Sequence, residues 1–343
     1  MPTGLRLRTM LMTAAIAGLA ALLVAPGPAR AEEKMSFGLP GVPPVYVAVL
    51  QYVARDAGFF KKYGLDVQLR NFDNGTVAAR AVQTGDIDLS LSPTPVVIGI
   101  TSNAGVDMVA IAGNENTDWV LATLDPKVKA CSDLKGQSIG IDTINGARSI
   151  ALHQMMAPCG LKASDVQEVA LGSNTGTAMA AGQLAVGVLH IDDVPMIEEK
   201  AKKKVAYVTT MKQVNPINHY MVLTTQRGTL DKKRDAFVRL IAADIEAARF
   251  MKDPKNSDKV AQIAAITGHT PSEAKAALEE FLKMEFWPVD KDGLGRENVQ
   301  AAIDIQAKTG GIRDGKTPIS YDKLVDATVY RDAMAMVKAH GGS

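Results

Sequence analysis

The sequence predicts an α/β protein with two similar lobes, each built on a mainly parallel sheet with flanking helices. Strand-like and helix-like segments alternate and are joined by short loops, which is typical of parallel sheets covered by helices. The order of these segments recurs after about 95 residues, which indicates two related units rather than one continuous sheet. Beyond residue 230 the pattern is almost entirely helical, so the closing segments must cover a lobe that is already built.

The first unit opens with a predicted strand at Met35–Gly41. A helix is predicted over Pro43–Gly64, because prolines suit a first helical turn and apolar residues recur at spacings of three and four. LDVQLRNF alternates as a strand, NGTVAARAVQTG predicts a helix that closes at Gly85, and IDLSLS is the next strand. Thr94 and Pro95 open another helix, and VDMVAIAG and WVLATL are further strands.

The second unit begins near residue 134 and repeats this order. QSIGID, VQEVAL, LAVGVLH and VAYVTT are predicted strands, and helical segments separate them. The glycines that end helices correspond in the two units: Gly64 with Gly160, and Gly85 with Gly182. Each of the latter two precedes a short apolar strand that runs into small polar residues and proline. The sequence therefore predicts the same structural device in both lobes.

Composition and charge exclude a polyanion-binding protein. The chain has 343 residues, 47% of them hydrophobic, with a formal net charge of +1. One lysine cluster, KAKKK at residues 200–204, reads as a solvated helix end, with a functional patch as the alternative. We therefore predict no nucleic-acid partner.

The first 31 residues have the pattern of a secretory signal peptide. Arg6 and Arg8 precede an uncharged apolar run over residues 9–25, and the prolines and the Ala-Arg-Ala at residues 29–31 complete the pattern. Cleavage is expected after Ala31, and an uncleaved membrane anchor is the alternative. An exported protein, in the periplasm, is the expectation.

Two cysteines, Cys131 and Cys159, are predicted to form a disulfide in an oxidising compartment. Cys131 precedes a strand, and Cys159 follows the helix after that strand, so both are expected on the same side of an α/β layer. Two buried thiols are the alternative.

Catalytic and metal-binding motifs are not found. The five histidines do not fall at metal-ligand spacing, and HExxH, CxxC, EF-hand, nucleophile-elbow and P-loop patterns do not occur. The sequence therefore predicts no enzyme, no metal ion and no cofactor.

Candidate ligand-binding residues lie where strands lead into helices, because ligands of open parallel sheets bind at the carboxyl ends of strands. Helix N-termini there offer N–H groups that suit carboxylate, sulfonate or phosphate oxygens, and simple helix capping, with Thr94 and Asn145 as caps, is the alternative. Asn116 is included because its side-chain amide can both donate and accept hydrogen bonds. Trp119 either offers a stacking face to a ligand or packs in the core. The carboxylates nearby could receive an amine of the ligand or pair with Arg148. The predicted set is Gly41, Val42, Pro43, Ser92, Pro93, Thr94, Asn116, Thr143, Asn145, Gly146, Ala147, His190 and Asp192.

Four segments carry a family resemblance: AGFFKKYGLDVQL, AVQTGDIDLSLSPTP, DLKGQSIGID and AMAAGQLAVGVL. In this order, behind a signal peptide, they resemble ABC-transporter solute-binding proteins of the nitrate/sulfonate/taurine type, which include thiamine-precursor binders. One local departure is Ala185, where an acidic residue is common. The resemblance implies a type II periplasmic binding protein with a ligand cleft between its lobes. It implies one lobe from residues 32–116 plus 221–343, and a second from residues 117–220.

The function implied by this resemblance is capture of a small polar organic solute by closure of the lobes. Sulfonates, carboxylates or aromatic acids, and pyrimidine-like compounds are the solute classes. The implied partners are a membrane permease and its ATPase complex, and the protein is expected to be a monomer. An enzyme of the thiamine-pyrimidine type on the same scaffold, or a ligand-sensing coreceptor, is the alternative.

Overall fold

A computed structural model describes residues 32–341, so the predicted signal peptide lies outside the described residues. The strands of this region are β1 Glu33–Pro40, β2 Leu65–Phe72, β3 Leu89–Pro93, β4 Met108–Asn114, β5 Val120–Thr123, β6 Ser138–Ile141, β7 Gln167–Ala170, β8 Val186–Leu189, β9 Ala206–Thr210 and β10 Met221–Gln226.

These strands form two five-stranded sheets of matching design. The first has the order β2-β1-β3-β10-β4, and the second has the order β7-β6-β8-β5-β9. In the first, β1 runs parallel to β2 and β3, and β10 is antiparallel to both of its neighbours. In the second, β6 runs parallel to β7 and β8, and β5 is the antiparallel strand. The predicted α/β class with two mainly parallel sheets is confirmed.

Helices cover both sheets. They are α1 Val49–Asp56, α2 Phe59–Lys62, α3 Gly75–Thr84, α4 Thr94–Ala104, α5 Ala147–Met156, α6 Thr175–Ala180, α7 Asp193–Ala201, α8 Met211–Val214, α9 Arg227–Lys252, α10 Ser257–Ala264, α11 Pro271–Lys283, α12 Arg296–Lys308, α13 Tyr321–Leu324 and α14 Thr328–Ala339. After β10 the chain is helical, as predicted. Within residues 32–341, no helix is both long enough and apolar enough to cross a membrane.

The predicted glycine device is present in both units. Gly85 ends α3 with a φ of 82°, and Gly182 follows α6 with a φ of 73°. Positive φ values favour glycine because it lacks a Cβ. In each case the next residue donates its backbone N–H to a carbonyl five residues earlier, at 2.9 Å. This closure turns the chain into β3 and β8, the middle strands of their sheets.

The helix predicted over Pro43–Gly64 is divided, so that prediction was wrong in its continuity. Residues 41–44 form a turn, Tyr46–Ala48 forms a 3₁₀ turn, and α1 and α2 follow. The break between α1 and α2 lies at Gly58, whose φ of 85° ends the first helix. An apolar period therefore predicted the buried face correctly but not the interruption, because glycine tolerates both conformations.

The second sheet carries the cross-link between the two cysteines. Cys131 lies in a 3₁₀ turn before β6, and Cys159 lies in a 3₁₀ turn after α5. The structure joins them in a disulfide with a Cα–Cα distance of 6.1 Å. The bond ties the end of α5 to the entrance of its sheet.

Two segments link the sheets. One runs from the end of β4 to the start of β5, and the other runs from the end of β9 to the start of β10. They pair with each other, because the backbone N–H of Tyr220 donates to the carbonyl of Asn114 at 3.0 Å and that of Met211 donates to Trp119 at 3.1 Å. The residue boundaries predicted for the two lobes stay a prediction.

Candidate functional site

A cavity lies between the two sheets, at the carboxyl ends of the parallel strands. One wall follows β1, β2 and β3, and the other follows β6, β7 and β8. The volume open to the centre of a water-sized sphere is only about 30 Å³, so the two walls lie close together. The lining residues are Pro40, Gly41, Val45, Val47, Asp73, Asn74, Gly75, Pro93, Trp119, Asp142, Ala147, Arg148, Gly172, Ser173, His190, Tyr220 and Met221. This is where small ligands of parallel sheets are expected to bind.

Four of the thirteen predicted ligand-binding residues line this cavity: Gly41, Pro93, Ala147 and His190. Gly41 and Pro93 come from the first sheet, and the other two come from the second. Residues predicted from the ends of strands therefore lie on both walls of the cavity. That these four contact a ligand remains a prediction.

Val42 and Pro43 lie at the cavity edge and are joined by a cis peptide bond. Val42 is exposed, and its backbone N–H donates to Oγ of Ser173 at 3.2 Å. Since Ser173 belongs to the opposite wall, this hydrogen bond connects the two sides of the cavity.

Ser92 and Thr94 are fully buried and already hydrogen-bonded within the protein. Oγ of Ser92 donates to the carbonyl of Gly75 at 3.1 Å, and Oγ1 of Thr94 lies 2.7 Å from Nδ1 of His219. Burial lowers the pKa of His219 to about 4, and its Nε2 donates to the carbonyl of Gly293 at 2.6 Å. The imidazole is therefore neutral at pH 7, and Nδ1 accepts the proton of the Thr94 hydroxyl.

The remaining predicted residues make contacts within the protein or lie in exposed loops outside the cavity lining. Asn116 is exposed and donates to the carbonyl of Met284 at 2.6 Å. Thr143, Asn145 and Gly146 form the loop before α5, in which the N–H of Gly146 donates to Thr143 at 2.8 Å. Asn145 is exposed, with a φ of 59°. Neither the Asn145 nor the Thr94 side chain caps a helix, so the capping alternative does not hold for these two residues.

Side chains of the protein itself close two helix N-termini at the cavity. Oδ1 of Asn74 accepts two N–H groups at the start of α3, at 3.0 and 3.1 Å. The carboxylate of Asp142 accepts the N–H groups of Ala147 and Arg148 at the start of α5, at 3.0 and 3.1 Å. At these two helices the capping alternative describes the structure, and the N–H groups expected for an anion are occupied.

Arg148 and Asp142 form the charged part of the cavity wall. The Arg148 side chain is buried, and Nη1 donates to the carbonyl of Val188 at 3.3 Å. Burial raises the pKa of Asp142, and the positive charge of Arg148 counteracts that effect. The two charges therefore offset each other inside the protein.

Aromatic rings form another part of the wall. The rings of Trp119 and Tyr220 meet edge to face, with centroids 4.9 Å apart and an interplanar angle of 81°. The ring of His190 lies 6.2 Å from that of Trp119. Nε1 of Trp119 is buried without a hydrogen-bond partner among the described residues. Such a surface offers ring contacts to a planar solute.

His190 is held by Asp118 behind this aromatic surface. Nδ1 of His190 donates to Oδ2 of Asp118 at 2.8 Å, and the hydroxyl of Tyr220 lies 3.4 Å from the same nitrogen. Burial by itself lowers the pKa of His190, but the charge of Asp118 and this hydrogen bond raise it above its usual value. The pair fixes the orientation of the imidazole at the cavity wall.

Asp192 lies outside the cavity lining and contacts the C-terminal helical region. Its backbone carbonyl accepts from Nε2 of His269 at 3.2 Å. Burial raises the pKa of Asp192 to about 7, and the charge of Asp193 acts in the same direction. The residue therefore connects the second sheet to the segment between α10 and α11.

Sequence reasoning missed most of the polar wall. Asn74 and Asp142 sit just after strands, as the predicted residues do, but their carboxamide and carboxylate were not recognised as caps. The sequence predicts Arg148 only as a partner for a carboxylate. Tyr220 follows a long segment without a motif, and its proximity to Trp119 depends on the pairing of the two linking segments.

Comparison with known proteins shows the family to which this chain is related. The family model described as NMT1/THI5 like matches residues 47–257. A Haemophilus influenzae protein named for thiamine biosynthesis is 22% identical over 216 residues, which cover 62% of this chain and 68% of that protein.

Two solved structures share the fold. One, from Bordetella bronchiseptica RB50, has a TM-score of 0.76 at 21% identity and covers 89% of this chain and 98% of that one. The other is the periplasmic nitrate-binding protein NrtA of Synechocystis PCC 6803, with a TM-score of 0.74, 13% identity and 90% coverage of both chains. At these identities the likeness shows the fold alone.

Proposed function

The chain belongs to the NMT1/THI5-like family, and on this premise we propose that it is the solute-binding component of an ABC importer. It captures a small polar organic solute between its two sheets and delivers it to a membrane permease with its ATPase complex. The protein acts as a monomer outside the cytoplasm. The predicted signal peptide supports the export step.

One observation carries this proposal: a cavity lined from both sheets is bridged by contacts between its walls. The N–H of Val42 reaches Ser173 at the cavity edge, and His269 reaches Asp192 outside the cavity lining, which adds a second link between the two sides. A solute in this cavity would be enclosed when these contacts form, and breaking them would open the walls. Enclosure between two walls suits reversible capture, because a solute that makes more contacts with the closed state than with the open state stabilises closure.

The charges of the cavity wall favour a planar solute with N–H groups over a simple oxyanion. Asn74 and Asp142 occupy the N–H groups of two helix N-termini, and Asp142 offsets the charge of Arg148. An oxyanion would have to approach the Asp142 carboxylate, whereas a ring N–H or amino group would be attracted to it. Among the predicted solutes, a pyrimidine-like compound therefore fits the wall best.

Identification of the solute is the direct test. Small molecules released by denaturing freshly purified protein would be identified by mass spectrometry. Calorimetric titration would then compare an aminopyrimidine, benzoate, an alkanesulfonate and nitrate. We expect the aminopyrimidine to bind and nitrate not to bind. Tight binding of nitrate or the sulfonate alone would contradict the assignment of solute class, and binding of none of these with no released molecule would contradict solute capture.

A variant pair locates the binding site. Trp119→Ala removes the aromatic surface of the cavity and is expected to weaken solute binding by at least ~10-fold. Tyr207→Ala is the matched control, because this aromatic residue is 47% exposed and lies outside the cavity lining. Equal affinities of the two variants would show that the solute binds elsewhere.

A further inference from the structure

Asp118, His190 and Asp192 form a buried cluster behind the aromatic wall. Asp118 precedes β5, the other two follow β8, and these strands are neighbours in the second sheet. One ligand-type atom from each residue lies within 4.8 Å of the other two. The three residues are 3%, 6% and 6% exposed. Two carboxylates and an imidazole thus converge at one place that solvent hardly reaches.

Each carboxylate of the cluster has an oxygen without a hydrogen-bond partner. Oδ1 of Asp118 and Oδ1 of Asp192 are buried, and neither receives a donor among the described residues. Buried acceptors without partners are rare, since leaving such an atom unsatisfied is costly, and more so for a charged group. Two of them in one cluster indicate that a positively charged group is bound there.

Three carboxylates surround the cluster, and the cationic side chains near it leave one oxygen of Asp118 and one of Asp192 without a partner among the described residues. Asp193 adds a third carboxylate, and its Oδ2 accepts the backbone N–H of His190 at 3.3 Å. The Arg148 guanidinium donates to a backbone carbonyl, and among the described residues no hydrogen bond or ion pair joins it to Asp118 or Asp192. His269 lies 3.7 Å from Oδ2 of Asp192 and faces only that residue of the cluster. A cation at the unpartnered oxygens would supply the missing charge.

We propose that Asp118, His190 and Asp192 bind one first-row divalent transition-metal ion of the Zn²⁺ type. The mixed imidazole and carboxylate donors favour this class, because Ca²⁺ and Mg²⁺ prefer sites made of oxygen alone. Three protein ligands leave a coordination position for water, as is common for zinc. The ion would hold the loop after β8 against the start of β5, and so would fix His190 and Trp119 at the cavity wall.

The sequence predicts no metal site, because metal-binding motifs are defined by short spacings between ligands. Here 72 positions separate Asp118 from His190. Only the pairing of β5 with β8 brings them together. The proposal does not depend on the identity of the solute, since neither Asp118 nor Asp192 lines the cavity.

Titration of the chelator-treated, full-length protein with ZnCl₂ tests the proposal. We expect one Zn²⁺ per chain by calorimetry. Asp118→Asn and Asp192→Asn keep the side-chain shape but remove a ligand charge, and each is expected to weaken Zn²⁺ binding at least ~10-fold. Circular dichroism and the thermal midpoint of the metal-free variants establish that they fold.

A second pair of side chains provides the matched control. His153 and Glu168 form another histidine–carboxylate contact in the same sheet region, and His153 is partly exposed. His153→Gln is expected to leave Zn²⁺ binding unchanged. Loss of binding in this variant, with retention in Asp118→Asn and Asp192→Asn, would assign the metal to an adventitious surface pair and overturn the proposal.

Cobalt substitution gives a readout that needs no variant. Co²⁺ bound by one imidazole and two carboxylates in a four-coordinate site absorbs visible light strongly, whereas hydrated Co²⁺ does not. We expect this absorption at one equivalent and its displacement by Zn²⁺. A wild-type protein that binds neither Zn²⁺ nor Co²⁺ stoichiometrically would refute the site. Solute binding by the same metal-free protein would leave the importer function standing, so the two proposals fail separately.

Discussion

His269, between α10 and α11, contacts Asp192, in the loop after β8 of the second sheet. Nε2 of His269 lies 3.2 Å from the Asp192 backbone carbonyl and 3.7 Å from its carboxylate. His269 also meets the ring of Tyr46 edge to face, at a centroid distance of 6.1 Å. The segment between α10 and α11 therefore links the helical layer of the first sheet to the loop after β8.

Removal of this link is expected to favour an open arrangement of the walls. His269→Ala deletes a partly buried hydrogen bond that exists only while the two sides are in contact, so solute affinity should fall about 5- to 10-fold. Small-angle scattering of the solute-free variant should give a larger radius of gyration than the wild type. His340→Ala, at an exposed histidine near the end of the chain, is the control. Unchanged affinity and radius in His269→Ala would show that this contact does not stabilise closure.

Removal of Asp142 is expected to convert a helix N-terminus into an anion site. Asp142→Ala frees the N–H groups of Ala147 and Arg148, which should then attract sulfate or nitrate. The lost cap should lower the free energy of unfolding by ~1–2 kcal/mol. Calorimetry with sulfate and urea unfolding measure the two effects.

Asp133 provides the matched control for this change. Its carboxylate also accepts two backbone N–H groups, those of Lys129 and Ala130, but lies at the surface away from the cavity. Asp133→Ala should lose stability without gaining anion affinity. If wild-type protein already bound nitrate as tightly as Asp142→Ala, the carboxylate would not be what excludes oxyanions.

The two-sheet architecture could be predicted from the sequence because glycine and hydrophobic alternation act locally. Gly85 and Gly182 each require positive φ, and each is followed by the middle strand of its sheet. These features depend on neighbouring residues only. The interruption at Gly58 was missed, because an apolar stripe continues on both sides of it.

The polar chemistry of the site could be predicted only in part, because it depends on competition between side chains. Four residues predicted from strand ends, Gly41, Pro93, Ala147 and His190, line the cavity. They did not show that Asp142 would take the N–H groups of α5. Contacts between distant segments carry no local sequence signal, so the approach of Tyr220 to Trp119 appears only in three dimensions.

Loss of the disulfide is expected to destabilise the protein strongly. Cys131 and Cys159 close a loop with a sequence separation of 28, which corresponds to about 3–4 kcal/mol of loop-closure entropy in the unfolded chain. The double variant Cys131→Ser, Cys159→Ser should unfold at a lower urea concentration than the oxidised wild type. Its free energy of unfolding should be lower by about 3–4 kcal/mol. Reduction of the wild type should reproduce the loss and leave the double variant unaffected. Two titratable thiols in unreduced, denatured wild type would contradict the bond.

Asp244 in α9 is expected to make the free energy of unfolding depend on pH. This carboxylate is buried in α9, and neither oxygen has a hydrogen-bond partner among the described residues. Burial raises its pKa to about 7, and the nearby amide of Gln51 only partly opposes that rise. The folded protein therefore keeps a proton at pH 6 that an unfolded chain releases near pH 4.

The sign of the effect follows from proton linkage. Between about pH 4 and pH 7 the folded state binds more protons at Asp244, so the free energy of unfolding falls as the pH rises through this window, by up to about 4 kcal/mol. Asp244→Asn cannot titrate at this position, so its decline between pH 4.5 and pH 8, to which Asp192 also contributes, should be smaller than that of the wild type by about this amount. Asp231→Asn, at an exposed position of the same helix, should retain the wild-type slope. A wild-type decline that persists undiminished in Asp244→Asn would place the responsible proton on another group.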